Sequence, residues 1–223
     1  MKKNNKNKLF KAGINNIVSI YIAIAFISIV SILVMNMNFI YKLMINKLHL
    51  SNVSGVNKEN IMIDYRTIIY YLQNPFIKDL QLDNFDMSQY GYIHFYEVKR
   101  IFVSLIIISF IFIVILLATL IFTYKYNKIY KIYIAKVFNK SFNILITFII
   151  TIFIAIKLNF SKAFTIFHKI LFRNDYWLLD PNIDPIIKVL PEEVFFTYGV
   201  VIISIISIIA ITGKIFCRKS LRI

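Results

Sequence analysis

Four long stretches of this chain contain neither an acid nor a base, and they limit its possible folds more than any other feature. The first lies between Lys11 and Lys42 and is most apolar from Ile17 to Val34. The second runs from Ile101 to Tyr124, the third from Ser141 to Ile156, and the fourth from Val194 to Gly213. A hydrocarbon layer ~30 Å thick is crossed by ~20 apolar helical residues. The third stretch is short, and Leu158-Asn159-Phe160 extends it because the Lys157 side chain can snorkel toward headgroups. Composition agrees: 59% of residues are hydrophobic and 17% charged, against ~45–50% and about 25% in a soluble domain. The expected fold is an all-α integral membrane protein with four transmembrane helices and a small helical extracytoplasmic cap. The spans are expected at 12–40, 99–124, 141–160 and 194–213. The cap is expected from segments 41–98 and 161–193, with an inner loop at 125–140.

The basic start (Lys2, Lys3, Lys6, Lys8 and Lys11) invites comparison with a signal peptide. The apolar stretch behind it exceeds the ~7–15 residues of a signal core, and Asn36-Met37-Asn38 offers no small-residue cleavage site. We read it as a retained anchor.

Charge placement sets the expected orientation. Segments 1–11, 125–140 and 214–223 carry five, five and four basic residues and no acid. All 11 acids lie in 41–100 and 157–193. Basic segments stay on the cytoplasmic side, so both termini are expected inside and the acid-bearing segments outside the cell membrane. The net charge of +15 is thereby accounted for, and no nucleic-acid partner is expected.

Chemistry is confined to the outer segments. They hold His49, His94 and His168, the single Trp177 and all four prolines. Cys217 is the only cysteine, which excludes an internal disulfide and a cysteine-based metal site. The five glycines form no phosphate-binding fingerprint, and neither G-x-S-x-G nor H-E-x-x-H occurs. No cofactor, metal or nucleotide is expected.

Residues 61–72 read as an amphipathic helix ended by Asn74-Pro75, with Ile61, Tyr65, Ile68 and Leu72 on one face. If the second span continues upward as a helix, His94 and Glu97 are neighbours three residues apart. Spacing leaves two readings: an imidazole oriented by a carboxylate, or an interfacial histidine with a solvated partner. Residues 164–173 read as an interfacial helix with His168 beside Phe164, Leu171 and Phe172, and with Lys162, Lys169 and Arg173 on another face. Apolar surroundings would keep that imidazole neutral and able to accept a proton. A buried histidine satisfied by one hydrogen bond fits the pattern too. His49 reads as a surface residue. Asp184 before Pro185 reads as an N-cap, and Pro191-Glu192-Glu193 as the first turn of the fourth span.

The run from Phe167 to Pro181 (Phe-His-Lys-Ile-Leu-Phe-Arg-Asn-Asp-Tyr-Trp-Leu-Leu-Asp-Pro), with Asp184 and Pro191-Glu192-x-x-Phe195-Phe196 after it, resembles the signature of the bacterial lipoprotein intramolecular transacylases. His94-x-x-Glu97-Val98-Lys99 is similar to that family's second histidine motif, with Glu97 where Asp is usual. Asp64-Tyr65 and Tyr71-Leu72 fit its cap, so the resemblance covers nearly the whole chain. It implies a diacylglyceryl lipoprotein as substrate, with membrane lipid around it. The acyl chain on the glyceryl sn-2 oxygen moves to the cysteine α-amino group and gives a lyso-form lipoprotein. It further implies catalysis by His94 and His168.

The chemistry suits these residues. A neutral amine must attack, for which a histidine base is appropriate. Ester to amide is downhill and needs no ATP. Tyr65, Tyr71, Phe164, Phe172 and Trp177 are candidates to enclose a dry site. The second histidine, Arg173 or Lys99 are candidate donors to the oxyanion. Glu97 and Asp180, in the matching motifs, complete the candidate substrate contacts. The competing reading is a non-catalytic membrane scaffold or accessory subunit with an outer cap.

Overall fold

The computed structural model describes residues 2–125 and 128–222, and no strand occurs among them. The helices are α1 (Lys2–Met35), α2 (Asn38–Lys47), α3 (Leu50–Ser54), α4 (Lys58–Gln73), α5 (Gln89–Lys125), α6 (Lys128–Leu158), α7 (Phe160–Leu171) and α8 (Glu192–Leu221), with a 3₁₀ turn at Pro185–Lys188. Four helical stretches are long and apolar enough to cross a membrane: Phe10–Met35, Gln89–Ile121, Lys131–Leu158 and Glu192–Leu221.

Helix boundaries follow backbone chemistry rather than hydropathy. The first apolar stretch stops being helical at Met35. The Asn36 amide folds back to the Ile32 carbonyl at 2.8 Å, and Met37 leaves helical geometry at φ −78°, ψ 71° before α2 begins. Such local bonds let Asn compete with the helix ladder. Helix α5 starts at Gln89, ahead of the apolar run, and α6 starts at Lys128, inside the expected inner loop. Residues 128–140 contain no glycine or proline, so nothing interrupts the ladder there. Residues 126 and 127 of that loop lie outside the described residues.

The chain divides into two compact units. The first comprises Met1–Val30, Ile107–Ile154 and Ile202–Ile223. Within it Phe26 packs on Phe112, Phe138 and Phe142 with ring centroids 5.6, 6.4 and 5.7 Å away. The Ser19 hydroxyl donates to the Val137 carbonyl at 3.1 Å and Tyr21 to the Ile108 carbonyl at 3.0 Å. Ile107, Phe110, Val114, Leu117 and Ile121 are exposed, as suits side chains facing lipid.

The second unit comprises Ser31–Ile106 and Ala155–Val201. Asn57 caps α4 by accepting the Asn60 N–H at 2.8 Å, and the face carrying Ile61, Tyr65, Ile68 and Leu72 is buried. Tyr41, fully buried, stacks on Tyr65 at 3.8 Å and donates to the Val189 carbonyl at 2.7 Å. The Tyr65 and Tyr198 hydroxyls share a 2.6 Å hydrogen bond. Asp64, 1% exposed, accepts the N–H groups of Asp83 and Asn84, each at 3.0 Å. His49 is exposed, as expected, in a left-handed conformation with φ 51°.

Asp184 stands at the expected N-cap position of the 3₁₀ turn, with Pro185 after it, but its side chain makes no capping bond there. Its buried carboxylate instead accepts the Ser88 N–H at 2.7 Å and the Ser88 hydroxyl at 2.8 Å. Ser88 directly precedes α5 and its Oγ accepts the Gly91 N–H at 3.0 Å. A carboxylate at a helix N-terminus meets the positive end of the helix dipole, and this one ties together two segments distant in sequence. Gly91 makes room for it, since a Cβ there would sit 2.5 Å from Asp184 Oδ1.

Candidate active site

His94 and His168 both lie in the second unit. Helix α7 begins at the cap Asn159, whose side chain accepts the Lys162 N–H at 2.8 Å. Of its residues, His168 is the buried one. His94 stands on α5, one turn beyond Tyr90. The two imidazoles are 9% and 8% exposed, and their ring centroids lie 6.0 Å apart. Aromatic rings wall them in. Phe172 lies 4.9 Å from His94 and 5.7 Å from His168. Phe164 and Trp177 pack on His168 at 4.2 and 4.7 Å, Trp177 nearly parallel to it.

His168 Nδ1 lies 2.8 Å from the Phe164 carbonyl oxygen. A carbonyl only accepts, so Nδ1 carries the hydrogen of the neutral ring and Nε2 keeps the lone pair. Burial lowers the His168 pKa, against the opposite push of the Phe164 carbonyl and the Glu192 charge. The ring is therefore a neutral proton acceptor at physiological pH. His94 Nδ1 and Trp177 Nε1 are buried without a hydrogen-bond partner among the described residues. Both belong to rings next to His168, and each has the capacity to hydrogen-bond a polar group there.

A family model described as lipoprotein intramolecular transacylase Lit matches residues 16–196. The chain belongs to the Lit family. It is similar to the membrane-integral lipoprotein intramolecular transacylase Lit of Bacillus cereus, with 31% identity, a TM-score of 0.78 and coverage of 96% of this chain and 95% of that one. Structures of the Bacillus cereus protein with one histidine mutated to arginine, and to alanine, match at 29% identity and a TM-score of 0.72. The arginine form is covered to 97% and the alanine form to 97%, over 98% and 97% of this chain. No match was found among curated proteins. Like the Lit protein it resembles, this chain is a multi-pass membrane protein with an all-helical fold.

The histidine pair gathers Phe164, Phe172 and Trp177 from the expected Lit-type site residues. The others stand elsewhere. Tyr65 bonds Tyr198 and the Met35 carbonyl, the latter at 3.2 Å, within the cap interior. Lys99 is buried; its ammonium donates to the Ile77 carbonyl and lies 4.2 Å from the centre of the Tyr71 ring. Lys99 thus ties the loop after α4 to the Tyr71 ring. Arg173 is exposed. Asp180, also exposed, shapes a turn by accepting the Asn182 N–H at 2.8 Å. Glu97 does not brace His94; its Oε1 accepts the Asn174 amide at 2.8 Å. Helical spacing made His94 and Glu97 neighbours, but the longer Glu97 side chain reaches across to another segment.

Asn174 was not singled out by the sequence. Besides bonding Glu97, its Oδ1 accepts the Tyr176 N–H at 3.1 Å, an Asx turn that precedes Trp177. The Asn174-Asp175 pair was the available local signal for that turn.

Proposed function

We propose that this Lit-family chain transfers an acyl chain within a diacylglyceryl lipoprotein, from the glyceryl sn-2 oxygen to the α-amino nitrogen of the lipidated cysteine. The buried His94–His168 pair, 6.0 Å apart with a neutral proton acceptor at His168 Nε2, is the observation that carries this reading. The amine lone pair attacks the sn-2 ester carbonyl carbon and forms the C–N bond. His168 Nε2 takes the amine proton. The carbonyl oxygen becomes an oxyanion, and Trp177 Nε1–H, a buried donor without an acceptor, is suited to hold it. Collapse breaks the bond from carbon to the glyceryl oxygen. His94 donates a hydrogen bond to that departing oxygen, and the proton returns to it from His168. Both imidazoles end neutral, as they began, and no acyl-enzyme is formed.

Attack within one substrate closes a ring, and holding its ends together contributes up to ~7–11 kcal/mol of the barrier reduction. The aromatic walls keep water away from the ester. The basic inner segments support an orientation with both termini cytoplasmic and the histidine pair at the outer membrane face. Membrane lipid is the surrounding partner.

Co-expression with a lipoprotein in a host lacking other N-acylation tests the proposal. Mass spectrometry of the lipoprotein N-terminus is expected to show the N-acyl, S-monoacylglyceryl form with the wild type. His94→Ala and His168→Ala are expected to leave the α-amine free. Wild-type product levels with both variants would refute the assignment.

A further inference from the structure

An open cleft of about 410 Å³ lies in the same compact unit as the histidine pair. Tyr90, Tyr176, Leu178, Leu179 and Ile183 line it, with Asp180 at its edge. None of them serves the acyl transfer described above. Tyr90 stacks on Tyr176 at 4.6 Å, while the next residue, Trp177, stacks on His168 at 4.7 Å. One short segment therefore forms a wall of both the cleft and the histidine site.

We infer that this cleft binds the extended polypeptide of the substrate, over the second to fourth residues after the lipidated cysteine. The inference rests on the transacylase reading. Tyr90 is four residues before His94, ~6 Å along the helix at ~1.5 Å per residue. An extended peptide covers that in about two residues at ~3.3 Å each. The uncharged run of α5 begins at Ile101, on the other side of His94. A substrate with its ester and amine at the imidazoles directs its acyl chains along that run, and its peptide leaves past Tyr90. Size fits a short peptide stretch, since ligand pockets run from ~300 Å³ upward. The lining fits too: tyrosine rings and aliphatic side chains accept side chains of many kinds. Asp175 and Asp180 add carboxylates to the lining, which disfavour an acidic peptide.

A synthetic diacylglyceryl-cysteine tetrapeptide with a photoactivatable diazirine side chain at its third residue tests the inference on the full-length protein in nanodiscs. After irradiation, mass spectrometry is expected to place the cross-link on residues 88–90 or 175–183. A cross-link elsewhere overturns the cleft, even where lyso product forms. A cross-link in the cleft without lyso product retains the cleft and overturns the reaction. Kinetics give a second readout. Wild type is expected to bind the tetrapeptide substrate with a KM roughly tenfold below that of diacylglyceryl-cysteine amide, as one well-placed contact supplies. Tyr90→Ala and Leu178→Ser, both at exposed positions, are expected to shrink that ratio to about twofold. An undiminished ratio in both variants would overturn the inference.

Discussion

Trp177 separates two contributions that a single deletion would merge. Its ring covers one face of His168 at 4.7 Å, and its Nε1–H is a buried donor without an acceptor. Trp177→Phe keeps an aromatic cover and removes the donor. Loss of one oxyanion donor costs ~10²–10³-fold in kcat, about 2.7–4 kcal/mol. Trp177→Ala removes both. The pH dependence tells them apart. His168 must be neutral to accept a proton, and burial holds its pKa below the usual 6.5. The substrate amine, at ~7.7–8.0, must be neutral as well. Log kcat/KM is thus expected to rise with a slope of two at low pH, with a slope of one above the His168 pKa, and to level off above the amine pKa. Falling pH protonates His168 and lowers the rate, so an upward pKa shift moves the break between the slopes to higher pH. Trp177→Ala admits water to the imidazole, weakens the desolvation and moves the break upward toward 6.5. Trp177→Phe leaves it in place while the plateau drops. Conversion of a synthetic diacylglyceryl-cysteine peptide, followed by mass spectrometry from roughly pH 5 to 9, measures both effects. Wild-type kcat in Trp177→Phe, or a break that moves downward in Trp177→Ala, would refute the reasoning.

Glu97→Ala releases Asn174 and loosens the turn that seats Trp177, and kcat is expected to fall about tenfold, as a ~1.4 kcal/mol loss of positioning would give. Glu97→Gln still offers an oxygen to the Asn174 amide and is expected to recover most of that rate; equal loss in both variants would show that the charge acts directly. Lys99→Met leaves the Ile77 carbonyl without its donor and is expected to cost about 1–3 kcal/mol in thermal unfolding, with kcat nearly unchanged; a fall of ~10²-fold would make Lys99 an oxyanion donor after all. Gly91→Ala pushes a methyl to 2.5 Å from Asp184 Oδ1 and is expected to destabilise by ~1–3 kcal/mol. Its cost should shrink in an Asp184→Ala background, and strict additivity of the two would show that they do not meet.

What could be read from the sequence depended on how far each side chain reaches along the chain. The uncharged runs and the helical spacing around the two histidines are written in consecutive residues, and helices lie over them, except that the first expected span is broken after Met35 and the third ends at Leu158, with Asn159 in an extended conformation capping α7. The partners of the polar side chains are not written locally. Asp184 stands directly before a proline, where a local rule makes it an N-cap, yet its carboxylate serves Ser88, a position separated by 96 residues. The competing signal was present in Ser88 and Gly91, which mark the start of α5. That helix start needs an anion as much as the 3₁₀ turn does, and its longer dipole and two donors make the stronger claim. Glu97 repeats the lesson on a smaller scale. Its spacing from His94 was right for contact, but Asn174, 77 residues away, donates its amide to Glu97 Oε1 instead. In both cases the folding of another segment created the donor. The consequence for the site is that His94 Nδ1 has no hydrogen-bond partner among the described residues, which is the state the proposed contact with the substrate oxygen requires.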